Sequence, residues 1–96
     1  MRPAQALNLH RDAIRAIVLR HRMTRVRVFG SVLNGTDTEA SDLDLLVDPA
    51  PGASLMDVAR IELELAALLR VSVDVLTPKS LPETFRLRVI AEAQPL

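Results

Sequence analysis

Apolar positions recur at two different periods along this chain, and the switches between them sketch a fold. From Leu7 to Arg22 the spacing is helical: Ile14, Ile17, Val18 and His21 share a stripe that Leu7 and His10 extend backwards. Arg11, Asp12, Arg15, Arg20 and Arg22 lie largely off that stripe. The period drops to two in "RVRVF", which predicts a short strand ended by Gly30. Ser31 is suited to cap a one-turn helix through Val32, Leu33 and Asn34, with Gly35 as its stop. "TDTEAS" is a polar loop. "DLDLLV" is a second strand, closed by Asp48-Pro49.

Beyond the "PAPG" turn, Ser54 and Asp57 have the spacing of a capping box, with Asp in place of the usual Glu or Gln. The helix they open runs to about Arg70. Its apolar stripe is Val58, Ile61, Leu65, Leu68 and Leu69, while Asp57, Arg60, Glu62 and Glu64 face elsewhere. "VSVDVL", Val71 to Leu76, is a third strand, broken by Pro78. A last helix spans about Pro82 to Ala93 and buries Phe85, Val89 and Ile90. The order α, β, short α, β, α, β, α predicts an α/β domain. Its helices pack on one face of a sheet of about three strands and leave the other face partly open.

Composition narrows the function more than the fold. The 96 residues suit one domain, residues 1–96, and 49% hydrophobic with 25% charged is the profile of a folded soluble protein. With two Phe, no Trp and no Tyr, the core must be aliphatic. Twelve basic residues balance twelve acidic ones, so no global field draws the chain to nucleic acid or to an anionic membrane. The absence of Cys excludes a disulfide framework, a thiolate zinc site and a cysteine nucleophile. The first residues lack the apolar core of a signal peptide, and no run is long enough to span a bilayer. The expected location is the cytoplasm.

The candidate chemistry lies in "VFGSVLNGTDTEASDLDLLVD". Side chains at i and i+2 of a strand point the same way, roughly 7 Å apart along the backbone. Asp42 and Asp44 therefore share one face, with Leu43 and Leu45 on the other. In the third strand Val71, Val73 and Val75 oppose Ser72 and Asp74. If the valines join the leucines in the core, Asp74 falls on the open face beside Asp42 and Asp44. Three carboxylates so placed repel and raise one another's pKa unless a cation sits between them. Mg²⁺ suits such hard oxygen ligands and fills its remaining positions with water and substrate phosphates. Gly30 lets the backbone come close to a phosphate, and the Ser31 hydroxyl can hold a phosphate oxygen. An acid triad beside a phosphate-binding turn makes a nucleotide triphosphate site.

Gly30-Ser31, ten residues, then Asp42-Leu43-Asp44 resembles the signature of the polymerase-β-like nucleotidyltransferase superfamily. Four such fixed positions match by chance in on the order of one chain of this length per thousand. The short length, "SDLDLLVD", "VDVL" and the "VIAEAQPL" end resemble the minimal nucleotidyltransferases, the antitoxin halves of HEPN/MNT toxin–antitoxin pairs. The resemblance implies a stripped catalytic palm with a mixed sheet. It implies Mg²⁺ held by Asp42, Asp44 and Asp74, and ATP seated by Gly30 and Ser31. It implies transfer of AMP to a tyrosine of a HEPN RNase toxin as partner, with no direct contact to nucleic acid. One departure stands out. Many relatives carry an arginine between Gly-Ser and the second glycine, where this chain has Val32, Leu33 and Asn34, and the loop that follows is acidic at Asp37 and Glu39. A catalytically weak antitoxin that neutralises its partner by binding alone is therefore the alternative. Transfer to a small molecule would need an added substrate domain.

Plainer readings apply elsewhere. His10 and His21 are too far apart for a metal pair on one helix face. Arg25 and Arg27 read as solvated, Asp48 as a turn residue, and Arg60, Arg70, Arg86 and Arg88 as decoration of exposed helix faces.

Overall fold

A computed structural model describes residues 1–96. The helical stripe over 7–22 is divided in two, α1 (Pro3–Leu9) and α2 (Arg11–Arg20). His10 makes the break with φ −125° and ψ 25°, while its N–H still bonds the carbonyls of Ala6 and Leu7. No Pro or Gly signals this corner, so periodicity alone reads through it. The chain also becomes helical earlier than the stripe suggests. Pro3 presets the first turn, and the buried carboxylate of Asp37 accepts the Ala4 N–H at 3.0 Å. Asp37 thus satisfies an orphan donor at a helix start, and its acidity is turned inward rather than displayed on the loop.

The remaining elements are β1 (Met23–Phe29), α3 (Gly30–Asn34), β2 (Leu43–Pro49), α4 (Leu55–Leu69), β3 (Val73–Leu76), a single 3₁₀ turn at Pro78–Ser80, α5 (Arg86–Glu92) and β4 (Gln94–Pro95). Ser54 caps α4 as the sequence suggests: its hydroxyl accepts from Met56 N–H, and Asp57 accepts from Ser54 N–H. The sheet has four strands, not three, in the order β3-β2-β1-β4. The extra strand is a two-residue pairing, Val28 with Gln94 and Arg27 with Pro95, too short and too polar to carry a strand pattern. β1 runs antiparallel to β2 and β4, whereas β2 and β3 are parallel and joined through α4, so the sheet is mixed.

Strand alternation sorts the two faces. Val26 and Val28, Leu43, Leu45 and Val47, and Val73 and Val75 point to the side covered by α1, α2 and α4. There they meet Leu7, Ile14, Val18, Ile61, Leu65 and Leu69 in one aliphatic core. At roughly 25 cal/mol per Å² of apolar area removed from water, this layer is the main source of stability. The opposite face is only partly open. Phe29 and Leu46 are covered there by Leu81, Val89 and Ala93, a smaller cluster brought by α5 and the segment before it. α5 is shorter than the predicted helix over 82–93. Phe85 stands at its start and is 38% exposed, not buried. No helix is long and apolar enough to cross a membrane.

Candidate active site

The second face of the sheet carries the candidate chemistry at the end where β1 stops and β2 and β3 begin. Asp44 lies opposite Phe29 on one side and opposite Asp74 on the other. The core positions of Leu43 and Leu45, and of Val73 and Val75, force both aspartates outward. Asp42 is exposed just before β2. The three acids predicted from strand parity are therefore brought together, with Asp74 on the side away from α4.

Their closeness shows in their electrostatics. The Asp44 carboxyl is pushed up to about 6, first by burial and then by the negative charges of Asp74 and Asp42. Asp74 is also raised, first by burial and then by the negative charges of Asp42 and Glu62. Glu62 is the member that the sequence reading placed elsewhere. It reaches from α4 to the edge strand and accepts the Val75 N–H at 2.9 Å. Nothing in the helical pattern could show that Glu62 sits at the sheet edge, because that depends on how α4 crosses β3.

Crowded, unneutralised carboxylates are a donor set suited to a hard divalent cation. They are neighbours rather than a closed chelate, since no three acidic or histidine side chains already surround a common point. Charge repulsion between bare carboxylates favours such an open arrangement.

Gly30 lies against this cluster. Its φ of +72° is a left-handed conformation, and a Cβ added there would come within 2.3 Å of Asp44 Oδ2. Only glycine allows both the turn and the carboxylate beside it. α3 begins at Gly30, with Phe29 at the cap position, so Ser31 lies inside the helix and not at its cap as the sequence suggested. The Ser31 hydroxyl consequently makes no hydrogen bond within the chain and stays free for another partner. Gly35 closes α3 in the left-handed conformation, as the spacing predicts.

Along the same face, beyond Leu46, the charges are arranged differently. Arg27 is buried, and its Nη2 donates to both oxygens of Asp48 at 2.9 and 3.1 Å, while Arg25 Nε lies 3.6 Å from Asp48. The sequence reading treated these arginines as solvated and Asp48 as a turn residue. Arg25 is indeed exposed, but cross-strand register joins buried Arg27 to a partly buried Asp48. His21 hydrogen-bonds Glu64 at 3.0 Å, and His10 is the helix corner, so neither belongs to the site.

A cleft of about 220 Å³ opens beside Gly30, between α3 and α5, lined by Gly30, Asn34, Phe85, Arg88, Val89 and Glu92.

A nucleotidyltransferase domain model matches residues 9–96, nearly the whole chain. The chain belongs to the nucleotidyltransferase domain family. Within it, this nucleotidyltransferase is 39% identical over 77 residues to a Methanocaldococcus jannaschii protein provisionally named protein adenylyltransferase MJ0435, covering 80% of this chain and 83% of that one. A second protein of that organism, provisionally named protein adenylyltransferase MJ0126, is 30% identical over 73 residues, which is 76% of this chain and 74% of that one. A solved structure described provisionally as a minimal nucleotidyltransferase superposes with a TM-score of 0.86 at 44% identity, covering 97% of this chain and 95% of the other. A chain of a toxin–antitoxin crystal structure with AMP-PNP has the same fold, with a TM-score of 0.70 at 22% identity over 88% of this chain and 70% of that one. The small mixed-sheet nucleotidyltransferase palm expected from the Gly-Ser and Asp-x-Asp spacing is thus the architecture of this transferase.

Proposed function

We propose that this nucleotidyltransferase is an antitoxin that moves AMP from ATP to a hydroxyl, a tyrosine, of a HEPN RNase toxin. The observation that carries the proposal is the convergence of Asp42, Asp44 and Asp74 beside the Gly30-Ser31 turn. The adenylyltransferase names of its relatives and the fold it shares with a toxin–antitoxin chain support the same reading.

In this reading Ser31 offers its free hydroxyl to a phosphate oxygen, and Gly30 leaves room for the phosphate to come close. Asp42, Asp44 and Asp74 would hold Mg²⁺, which when bound neutralises charge on the phosphate oxygens. The acceptor oxygen bonds to the α-phosphorus of ATP, the bond between that phosphorus and the α–β bridging oxygen breaks, and pyrophosphate leaves. The acceptor proton passes to the Asp74 carboxylate, which stands beside Asp42 and Asp44 on the same face. The chain's contribution is positioning together with complementary charge, as expected for phosphoryl chemistry.

The test is incubation of the chain with ATP, Mg²⁺ and its toxin, read by mass spectrometry of the toxin. This chain has no Tyr, so an adenylylated tyrosine must come from the partner. An AMP increment that disappears in the Asp42→Asn/Asp44→Asn variant is expected. An increment that persists in that variant rules the mechanism out.

A second reading, neutralisation by binding alone, has one observation in its favour: residues 30–41 contain no Lys or Arg to meet a triphosphate. It is selected if the double variant still silences the toxin fully and the wild-type chain leaves it unmodified.

A further inference from the structure

The turn that faces the three acids offers no cation of its own, since residues 30–41 contain neither Lys nor Arg. Cations elsewhere on that sheet face are already engaged. Arg27 and Arg25 converge on Asp48. On α5, Arg86 donates to the carbonyls of Leu81 and Lys79. Arg88 differs from all of these. It is exposed, makes neither hydrogen bond nor ion pair, and is the single basic residue lining the cleft that has Gly30 at its rim. Asn34, whose amide can donate as well, stands in the same cleft. The one opposing charge there is Glu92, one turn further along α5 and not paired with Arg88.

We propose that Arg88, reaching from α5 across the cleft beside Gly30, binds the β- and γ-phosphates of the nucleotide, with Asn34 as a second donor. The assignment rests on the nucleotidyltransferase reading of the acid cluster and adds the residue that fixes the far end of the substrate. A triphosphate needs positive charge at both ends: at the α-phosphate, where the acids would gather divalent cations, and at its outer phosphates. A guanidinium provides the second with paired N–H donors matched to phosphate oxygens. Because α5 is a separate element held to the sheet through Val89, Phe29 and Leu46, the same contact would tie substrate binding to the docking of that helix.

The discriminating property is dependence on phosphate number. Calorimetric titrations of the full chain with ATP and with AMP, both with Mg²⁺, are compared for the wild type, Arg88→Ala and Arg88→Lys. Arg88→Ala is expected to weaken ATP binding about tenfold and to leave AMP binding within about twofold, since AMP lacks the outer phosphates. Arg88→Lys keeps the charge without the paired donors and should fall between the two. Circular dichroism and the thermal midpoint should not move, because the side chain is exposed and unpartnered. Equal ATP affinity in wild type and Arg88→Ala overturns the assignment and leaves the transferase reading intact, as does equal weakening toward ATP and AMP. Unchanged ATP affinity with loss of toxin modification points to an acceptor contact and also overturns it. Absence of ATP binding by the wild type overturns both.

Discussion

Asp44 and Asp48 project from the same face of β2, two side-chain alternations apart, yet their surroundings are opposite. Asp48 receives two hydrogen bonds from one guanidinium and lies near a second. Asp44 faces Asp74 across the strand pair, with Asp42 beside it, and no arginine or lysine within salt-bridge distance. One end of the face is neutralised within the chain, so its charges contribute to the fold. The other is left with an excess of negative charge that folding alone would not select. A surplus that a single Asp→Asn change would relieve is the physical mark of a place where something outside the chain completes the electrostatics. The two aspartates should therefore respond in opposite ways to removal of their charge.

At the acid end the largest effect is on chemistry. Asp44→Asn should lower the rate of the proposed AMP transfer by about a thousandfold, measured as initial incorporation of labelled AMP into the acceptor, while the variant remains folded. Stability should rise slightly, because like-charge repulsion is removed. A variant that is both slow and markedly less stable would mean that Asp44 is a structural residue like Asp48, and the contrast between the two ends would fail.

At the paired end the effect is on folding. Asp48→Ala leaves Arg27 buried without its partner, and Arg27 Nε already has no hydrogen-bond partner. A loss of about 3 kcal/mol in denaturant unfolding is expected, with little change in transfer rate per folded molecule. Replacing both members, Arg27→Met with Asp48→Leu, should recover most of that loss, since two apolar side chains bury no orphan charge. A double variant as unstable as Asp48→Ala alone would show that the pair does more than satisfy itself.

Gly30 sits between strand and site and belongs to both accounts. Gly30→Ala puts a methyl where Asp44 Oδ2 now lies, at a φ of +72° that alanine resists. The carboxylate can swing away, so the fold should lose about 2 kcal/mol and survive, while transfer falls by more than that loss explains. Crystallography or nuclear magnetic resonance of the variant should find the Asp44 side chain rotated out of its place beside Asp74. An unmoved carboxylate would sink this account of the glycine.

How far the sequence reveals this arrangement differs between the two ends. The placement of the acids was legible because it follows from a local rule: strand alternation puts Asp42 and Asp44 opposite Leu43 and Leu45, and puts Asp74 opposite Val73 and Val75. Gly30 and Gly35 were legible too, from another local signal: each stands where a strand or a short helix must stop. The Arg27–Asp48 pair was not, because it depends on which residues of β1 and β2 face each other, and "RVRVF" looks the same whether its arginines meet water or a carboxylate. Glu62 was hidden in the same way, by the crossing of α4 over the sheet edge. The inward turn of Asp37 was hidden too, since a polar loop carries no sign that one of its acids will cap a distant helix. The corner at His10 and the short strand at Gln94–Pro95 have no breaker or alternation to announce them. Local periodicity thus placed the candidate site, while tertiary register decided which charges would be neutralised.

The smallest effect follows from the acid end alone and concerns pH. The Asp44 carboxyl has an ordinary value of 3.8 and is pushed up to about 6 in the folded chain, so the folded state holds its proton more tightly than the unfolded state does. Below about pH 4 both states are protonated and the group costs nothing. As pH rises toward 6 the unfolded chain loses its proton first, and stability falls; above about pH 6 the penalty is complete. The full separation between 3.8 and about 6 would be worth ~3 kcal/mol. Asp44 is only half-buried, so solvent screening leaves about 1 kcal/mol. The raised pKa of Asp74 acts in the same direction. Denaturant midpoints of the wild type and Asp44→Asn, followed from about pH 4 to about pH 7, should therefore diverge, with the variant gaining on the wild type as pH rises. Adding Mg²⁺ at neutral pH should lift the wild type toward the variant and leave the variant nearly unchanged, because a cation between the carboxylates removes the same repulsion. Parallel curves, or equal stabilisation of both chains by Mg²⁺, would show that the aspartates at this end are as well satisfied as Asp48 and that the two ends of the face do not differ.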